Sequence, residues 1–146
     1  MKRFILRTYG LLINSKNEIL LTQEKYKGVT FTKFPGGGVE LGEGIKEALS
    51  REFSEEAQLP IEVKDHFYTT DCFVASAFNP EEQLISVYYF VDSSHWEKVP
   101  TVALGVFPKG DKSELFTWVP LRELTPDQVT FPIDKKVVKG ILERFC

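Results

Sequence analysis

The sequence predicts an α/β or α+β chain, and three observations predict it. Apolar residues recur at helical spacing from Ile45 to Ala57, and again from Ile133 to Phe145, whereas Phe4 to Ile13 and Leu84 to Val91 are runs of β-branched and aromatic residues. The 146 residues suit a single domain, 1–146, with room for a proper core, and 42% hydrophobic and 27% charged residues are ordinary globular values. A net charge of −3 argues against nucleic-acid binding by bulk electrostatics, so an anionic ligand needs local cations or a metal. No run reaches the length of a membrane span.

Phe4 to Ile13 reads as a first strand closed by the turn cluster Asn14-Ser15-Lys16-Asn17, with Glu18 to Thr22 as its hairpin partner. The basic start of this strand resembles a signal peptide, but Arg7, Thr8 and Tyr9 interrupt the apolar run and no small-residue cleavage site follows. Cys72 and Cys146 show neither metal-ligand nor disulfide spacing and read as a buried thiol and a frayed tail, which points to the cytoplasm. Gln23 to Lys33 reads as a polar, lysine-rich loop, in which Lys33, with Arg7, is a candidate phosphate contact. Pro35 then fixes the entry to Gly36, Gly37 and Gly38, residues without Cβ whose backbone can approach an oxyanion or a metal.

Winding Ile45 to Ala57 at about 100° per residue gives a core-facing stripe of Leu49, Phe53, Ala48 and Ala57. Glu52 and Glu56 fall inside that apolar sector, about 20° to either side of Ile45, with Glu55 at its edge. The ordinary reading of a Glu-rich helix is a solvated face, and these angles oppose it. Like charges three and four residues apart repel by roughly 0.2–0.5 kcal/mol per pair, and the last turn is the negative end of the helix dipole. A bound hard cation reverses the sign, because clustered carboxylates with retained water are what Mg²⁺ prefers.

Beyond the helix, strand-like runs surround His66-Phe67-Tyr68 and Cys72-Phe73-Val74, His66 being an edge or surface residue. Leu84 to Val91, almost continuously apolar, suggests a central strand. Asp92 to Ser113 is too long for a routine connection, and its TVALGVF segment reads as either an extra strand or a packed loop. Trp96 and Phe107 there are anchors more readily than base-stacking residues. Glu114 to Val119 forms a last strand, Pro120 to Leu124 a helical turn, and Ile133 to Phe145 a closing helix. Asp134, at its start, is a helix-terminus acid or a base-edge contact in a nucleotide pocket.

Gly37, Glu43, Arg51, Glu52, Phe53, Glu55, Glu56 and Leu59 resemble the Nudix box, G-x5-E-x7-R-E-U-x-E-E-x-G-U with U bulky and apolar, over 23 of the 146 residues. Gln58 departs from it, standing where the family has glycine; either it occupies the left-handed region at a cost of roughly 1–2 kcal/mol, or the helix ends differently before Pro60. The resemblance implies a Nudix-type α/β/α sandwich with a central mixed sheet and hydrolysis of a diphosphate linkage in a nucleoside diphosphate derivative. It implies Mg²⁺, with Mn²⁺ an alternative, held by Glu52, Glu55, Glu56 and the Gly36 carbonyl, with Glu114 as an extra carboxylate. Glu52 is the expected general base and Glu114 its alternative; Glu43 and Arg51 support, Arg51 fixing the loop while pointing away from the acids. Arg7, Lys33, Gly37, Gly38 and Asp134 are the expected substrate contacts. The compact length, with no subfamily signature after Leu59, favours a nucleoside triphosphate, oxidised or not, as the small-molecule partner. A homodimer stays open. The competing reading is a non-catalytic nucleotide-binding module, for which Gln58 is the only support; a purely structural domain leaves the inward acids unexplained.

Overall fold

A computed structural model describes residues 1–145 and contains seven strands and two helices longer than one turn. In chain order they are β1 (Arg3–Leu12), β2 (Glu18–Tyr26), β3 (Val29–Lys33), β4 (Gly36–Gly38), α1 (Ile45–Ala57), β5 (Glu62–Thr69), β6 (Glu82–Asp92), β7 (Ser113–Pro120) and α2 (Pro132–Phe145). A four-stranded mixed sheet runs β4-β1-β6-β5, with β1 parallel to β6 and antiparallel to β4. A three-stranded antiparallel sheet runs β3-β2-β7.

The period-two alternation of β1 places the mixed sheet between the helices. Tyr9 and Leu11 pack with Val137, Val138 and Ile141 of α2, while Leu12 packs with Leu49, Phe53 and Ala57 of α1. The α/β/α arrangement implied by the box therefore holds. β6 lies inside the sheet, as its apolar run predicts, and β5, with exposed His66, is the edge.

Several local expectations change. The first hairpin does not form as a strand pair: β1 and β2 meet only at Ile13 and Ile19, after which β2 turns into the second sheet. Residues 23–33 are not a loop but the rest of β2, a turn and β3. The turn is Lys27-Gly28, both at positive φ (51° and 76°), the two-residue hairpin geometry whose twist matches the flanking strands. Residues 72–74 form no strand, although Val74 still accepts a hydrogen bond from Leu84 N–H. Cys72 is exposed rather than buried, and the reading of Cys146 lies outside the described residues. Within 92–113 a 3₁₀ turn (Trp96–Lys98) leads into a loop joined to β7 through Val102 and Phe116, and with Ala103 to Val106 exposed the TVALGVF segment is neither an extra strand nor a packed loop. Trp96 stacks edge-on against Trp118 in the α1-side core.

Gln58 resolves the question raised by the missing glycine. It adopts φ 46°, ψ 40°, and its N–H and that of Leu59 close the helix on the Phe53 carbonyl. The glutamine thus occupies the left-handed region, and α1 keeps its register through Ala57.

Candidate active site

The glycine strand brings the backbone onto the acidic helix. β4 pairs with β1 so that Tyr9 opposes Gly36, Thr8 opposes Gly37 and Arg7 opposes Gly38. A Cβ on Gly37 would fall about 2.5 Å from the Glu52 carboxyl, so only glycine lets that carboxylate lie against the strand. Gly36, at φ 147°, would drive a Cβ into the Thr8 carbonyl and the Tyr9 side chain.

The carboxylates divide into two groups. Glu52 and Glu56 lie side by side, and burial first, then the neighbouring Glu52 carboxyl, pushes Glu56 well above the usual carboxylate range against the pull of Lys33. Glu55 is solvent-facing and meets Arg51 Nη1 at 3.3 Å. Arg51 does fix the loop as expected, donating Nη2 to the Gly38 carbonyl (2.9 Å) and to Glu43 (2.7 Å), and Nε to Glu43 at 3.0 Å. It does not point away from the acids, however: Nη1 also reaches Glu52 at 3.2 Å. Glu43 in turn accepts the Glu40 N–H, and these contacts, Arg51 first, hold its carboxyl at about 2.

Beside this helix end lies an open cavity of about 700 Å³. Its floor is the β1/β6 register, Ile5 beside Leu84, Arg7 beside Ser86 and Tyr9 beside Tyr88. Glu56, Glu24, Lys33 and Glu114 supply charge around it. Phe31, Phe78 and Phe131, from β3, the 74–78 segment and the residue before α2, form an aromatic cluster with centroids 5.2–6.2 Å apart.

Arg7 donates Nε to the Tyr9 hydroxyl at 2.5 Å, and its guanidinium makes no other hydrogen bond among the described residues. Lys33 is buried: its ammonium pairs with Glu24 at 2.9 Å, donates to the Phe34 and Gly36 carbonyls at 3.2 and 3.4 Å, and lies over the Tyr9 ring. It is thus a strand residue tied to the glycine segment, not a free loop lysine. Asp134 is buried with its carboxylate accepting the Tyr88 hydroxyl at 2.5 Å, and burial pushes it up to about 6 despite that donor. Gly37 and Gly38, expected as substrate contacts, lie outside the cavity lining, and the Gly38 carbonyl is held by Arg51. Trp96 and Phe107 lie outside the cavity lining.

Among the described residues no three His, Cys, Asp or Glu side chains converge tightly enough to hold a metal ion. The shortfall is Glu55, turned to Arg51; the pair Glu52 and Glu56 with the Gly36 carbonyl is a hard oxygen donor set, and Lys33 already sits on that carbonyl as a cation. The donors fit a small divalent ion in kind.

Sequence reasoning missed Glu24, Tyr9, Tyr88 and the three phenylalanines. The Lys27-Gly28 pair followed by Val29-Thr30-Phe31-Thr32 is a hairpin signal that would have placed Glu24 and Phe31 opposite each other. Nothing local in the sequence brings Phe78 and Phe131 together.

A family model described as the NUDIX domain matches residues 4–140. No curated protein matches the sequence. Among solved structures, the MutT protein from Methanosarcina mazei Go1 is similar at 22% identity and TM-score 0.67, with 98% of this chain and 95% of that one covered. A DNA mismatch repair protein MutT from methicillin-resistant Staphylococcus aureus 252 gives 24% and 0.63, covering 99% of both. The E. coli ORF135 protein gives 17% and 0.69, covering 97% of this chain and 91% of its own. At these identities the structural likeness concerns the fold.

Proposed function

From the chain's membership of the Nudix family, whose members hydrolyse nucleoside diphosphate derivatives, we propose that it is a metal-dependent pyrophosphohydrolase converting a nucleoside triphosphate to monophosphate and pyrophosphate. The observation that carries this reading is the Glu52–Glu56 pair, seated against Gly37 at the edge of a cavity that also presents Arg7 and an aromatic wall. Two neighbouring carboxylates in a half-buried place are costly in their charged forms without a cation, and a cavity of this size accommodates a nucleotide.

Glu52, Glu56 and the Gly36 carbonyl would hold Mg²⁺ or Mn²⁺, with Glu55 or Glu114 completing the set. When bound, such an ion neutralises phosphate charge and acidifies a water for in-line attack. The chain's own residues do the rest. Glu52 takes the water's proton, Glu114 being the alternative base. Arg7, with its free guanidinium nitrogens, meets a phosphate, and Lys33 keeps the glycine segment and Glu24 in place beside it. Phe31, Phe78 and Phe131 offer ring faces to a base, and Asp134 an acceptor for its edge. Arg51 and Glu43 hold the loop. A cytoplasmic setting belongs to the same proposal. Gln58 is accommodated without loss of helix register, so it no longer supports a non-catalytic module.

The test is release of pyrophosphate from a panel of nucleoside triphosphates, oxidised ones included, against nucleoside diphosphate sugars and dinucleotides, with Mg²⁺ and with chelator. Turnover of a triphosphate only with metal is expected; no turnover of any member, or turnover in chelator, contradicts the reading.

A further inference from the structure

The Lys27-Gly28 turn carries an arrangement that the hydrolytic reading does not use. Its two outward backbone N–H groups are taken by one side chain, Asp111, at 2.8 Å from Lys27 N and 3.1 Å from Gly28 N. The next residue, Lys112, sits in the left-handed region at φ 57° and donates its backbone N–H to the Lys25 carbonyl at 2.7 Å. Lys25 Nζ in turn reaches the Lys109 carbonyl at 3.2 Å. The end of the 92–113 stretch is thus clasped onto the β2–β3 hairpin.

The clasp gathers Lys25, Lys27, Lys109 and Lys112 in one place, and among the described residues none of the four has a carboxylate within 4.0 Å. Lys25 and Lys112 line the cavity, next to Glu24 and close to Glu114. Four lysines on a solvated surface need no explanation by themselves. Here two of them, Lys27 and Lys112, stand in the left-handed region (φ 51° and 57°), which disfavours any residue with a Cβ, and the Asp111 carboxylate spends its oxygens on the Lys27 and Gly28 N–H groups instead of on an ammonium. Lys25 and Lys112 thus bring two ammonium groups with no ion pair of their own among the described residues to a cavity mouth that they share with the acids Glu24 and Glu114, and these ammonium groups are available to an anion.

We propose that Lys25 and Lys112 form a phosphate-chain subsite at the cavity mouth, with Asp111 as the residue that positions it. The substrate then carries phosphates beyond the one next to the nucleoside, as a triphosphate or longer chain does, and a diphosphate ending in an uncharged group does not. The choice of substrate class rests on the hydrolytic reading; the anion subsite stands without it.

The experiment is calorimetric titration of the metal-free protein with inorganic tripolyphosphate and with orthophosphate, at low and raised salt. Tripolyphosphate binds more tightly, and raised salt weakens it. Lys112→Ala weakens it about fivefold and Lys25→Ala with Lys112→Ala about tenfold or more, while Lys112→Arg retains it. Asp111→Ala supplies the discriminating sign. Removing a negative charge would strengthen anion binding if charge alone mattered, whereas loss of the clasp weakens it, with Asp111→Asn between. For whichever nucleoside is turned over, Lys112→Ala lowers the ratio of kcat/KM for triphosphate over diphosphate, through KM. Tripolyphosphate binding no tighter than orthophosphate, unchanged affinity in the lysine variants, or tighter binding in Asp111→Ala overturns the proposal. If the wild type turns over no nucleotide, the hydrolytic reading fails while the titration still decides the subsite.

Discussion

Two sides of the same three turns of α1 hold their charges in opposite ways. On the outer side Arg51 meets Glu43, Glu55 and the Gly38 carbonyl, so each acid has a cation and the loop has an anchor. On the inner side Glu52 and Glu56 meet each other, with Arg51 reaching only Glu52 and Lys33 acting on Glu56 from a distance. The outer group behaves as structure, its carboxyl held low by a neighbouring guanidinium. In the inner group burial disfavours the charged form of Glu56, and under the proposed function that cost is the mark of a site. Glu residues one or three positions apart on one helix thus have different tasks, set by what surrounds them.

The largest expected effect separates the two sides by activity. Glu52→Gln should lower kcat by about a hundredfold or more, the range of a lost general base or metal ligand, with the fold intact by circular dichroism. A kcat within twofold of wild type would make the inner pair as structural as the outer one.

Next in size is the loss of the outer anchor. Arg51→Ala removes hydrogen bonds to Glu43 and to the Gly38 carbonyl on a partly exposed side chain, so roughly 1–2 kcal/mol of stability should go. Urea unfolding should show the same loss with chelator as with Mg²⁺; a loss seen only with metal would move Arg51 to the inner group.

A smaller effect follows from Glu43. Its folded-state carboxyl is depressed to about 2, so the stabilisation is present above the ordinary carboxylate value near 4.5 and is lost as pH falls from there toward 2. The midpoint of unfolding should therefore fall with pH across that window in the wild type and less steeply in Glu43→Gln. Equal slopes would show that the unfolded chain keeps the same contact.

The inner side of α1 was legible because helical spacing alone puts Glu52 and Glu56 among apolar positions; the glycines before it read as a loop, and only pairing with β1 makes them the strand against which Glu52 lies. The outer contacts were legible in part. The Nudix-box resemblance implied the loop anchor of Glu43 and Arg51, but a helical wheel carries no side-chain length, so it could not show Arg51 reaching back to Glu52. The β2–β3 hairpin was hidden by its own function, since Glu24 and Lys33 line a polar cavity and make a strand pair read as a polar loop. The aromatic wall and the Asp111 clasp join residues 47 to 100 and 83 to 84 positions apart, a separation at which no local pattern reports.

The central claim, that the inner pair is held unfavourably for the sake of a cation, is tested most directly by melting curves of wild type and Glu56→Gln in chelator and in excess Mg²⁺. Burial raises the Glu56 carboxyl, so the folded chain holds that proton more tightly than the unfolded one, and the fold loses stability as pH rises above the ordinary carboxylate value. A permanently neutral amide removes that loss together with the like-charge and dipole terms. At neutral pH in chelator the variant should be the more stable by about 1 kcal/mol, or roughly 3 °C in Tm. Mg²⁺ should raise the Tm of the wild type by mass action and that of the variant much less. A wild type indifferent to Mg²⁺, or a variant clearly less stable in chelator, would show Glu56 to be a partnered structural acid and contradict the account.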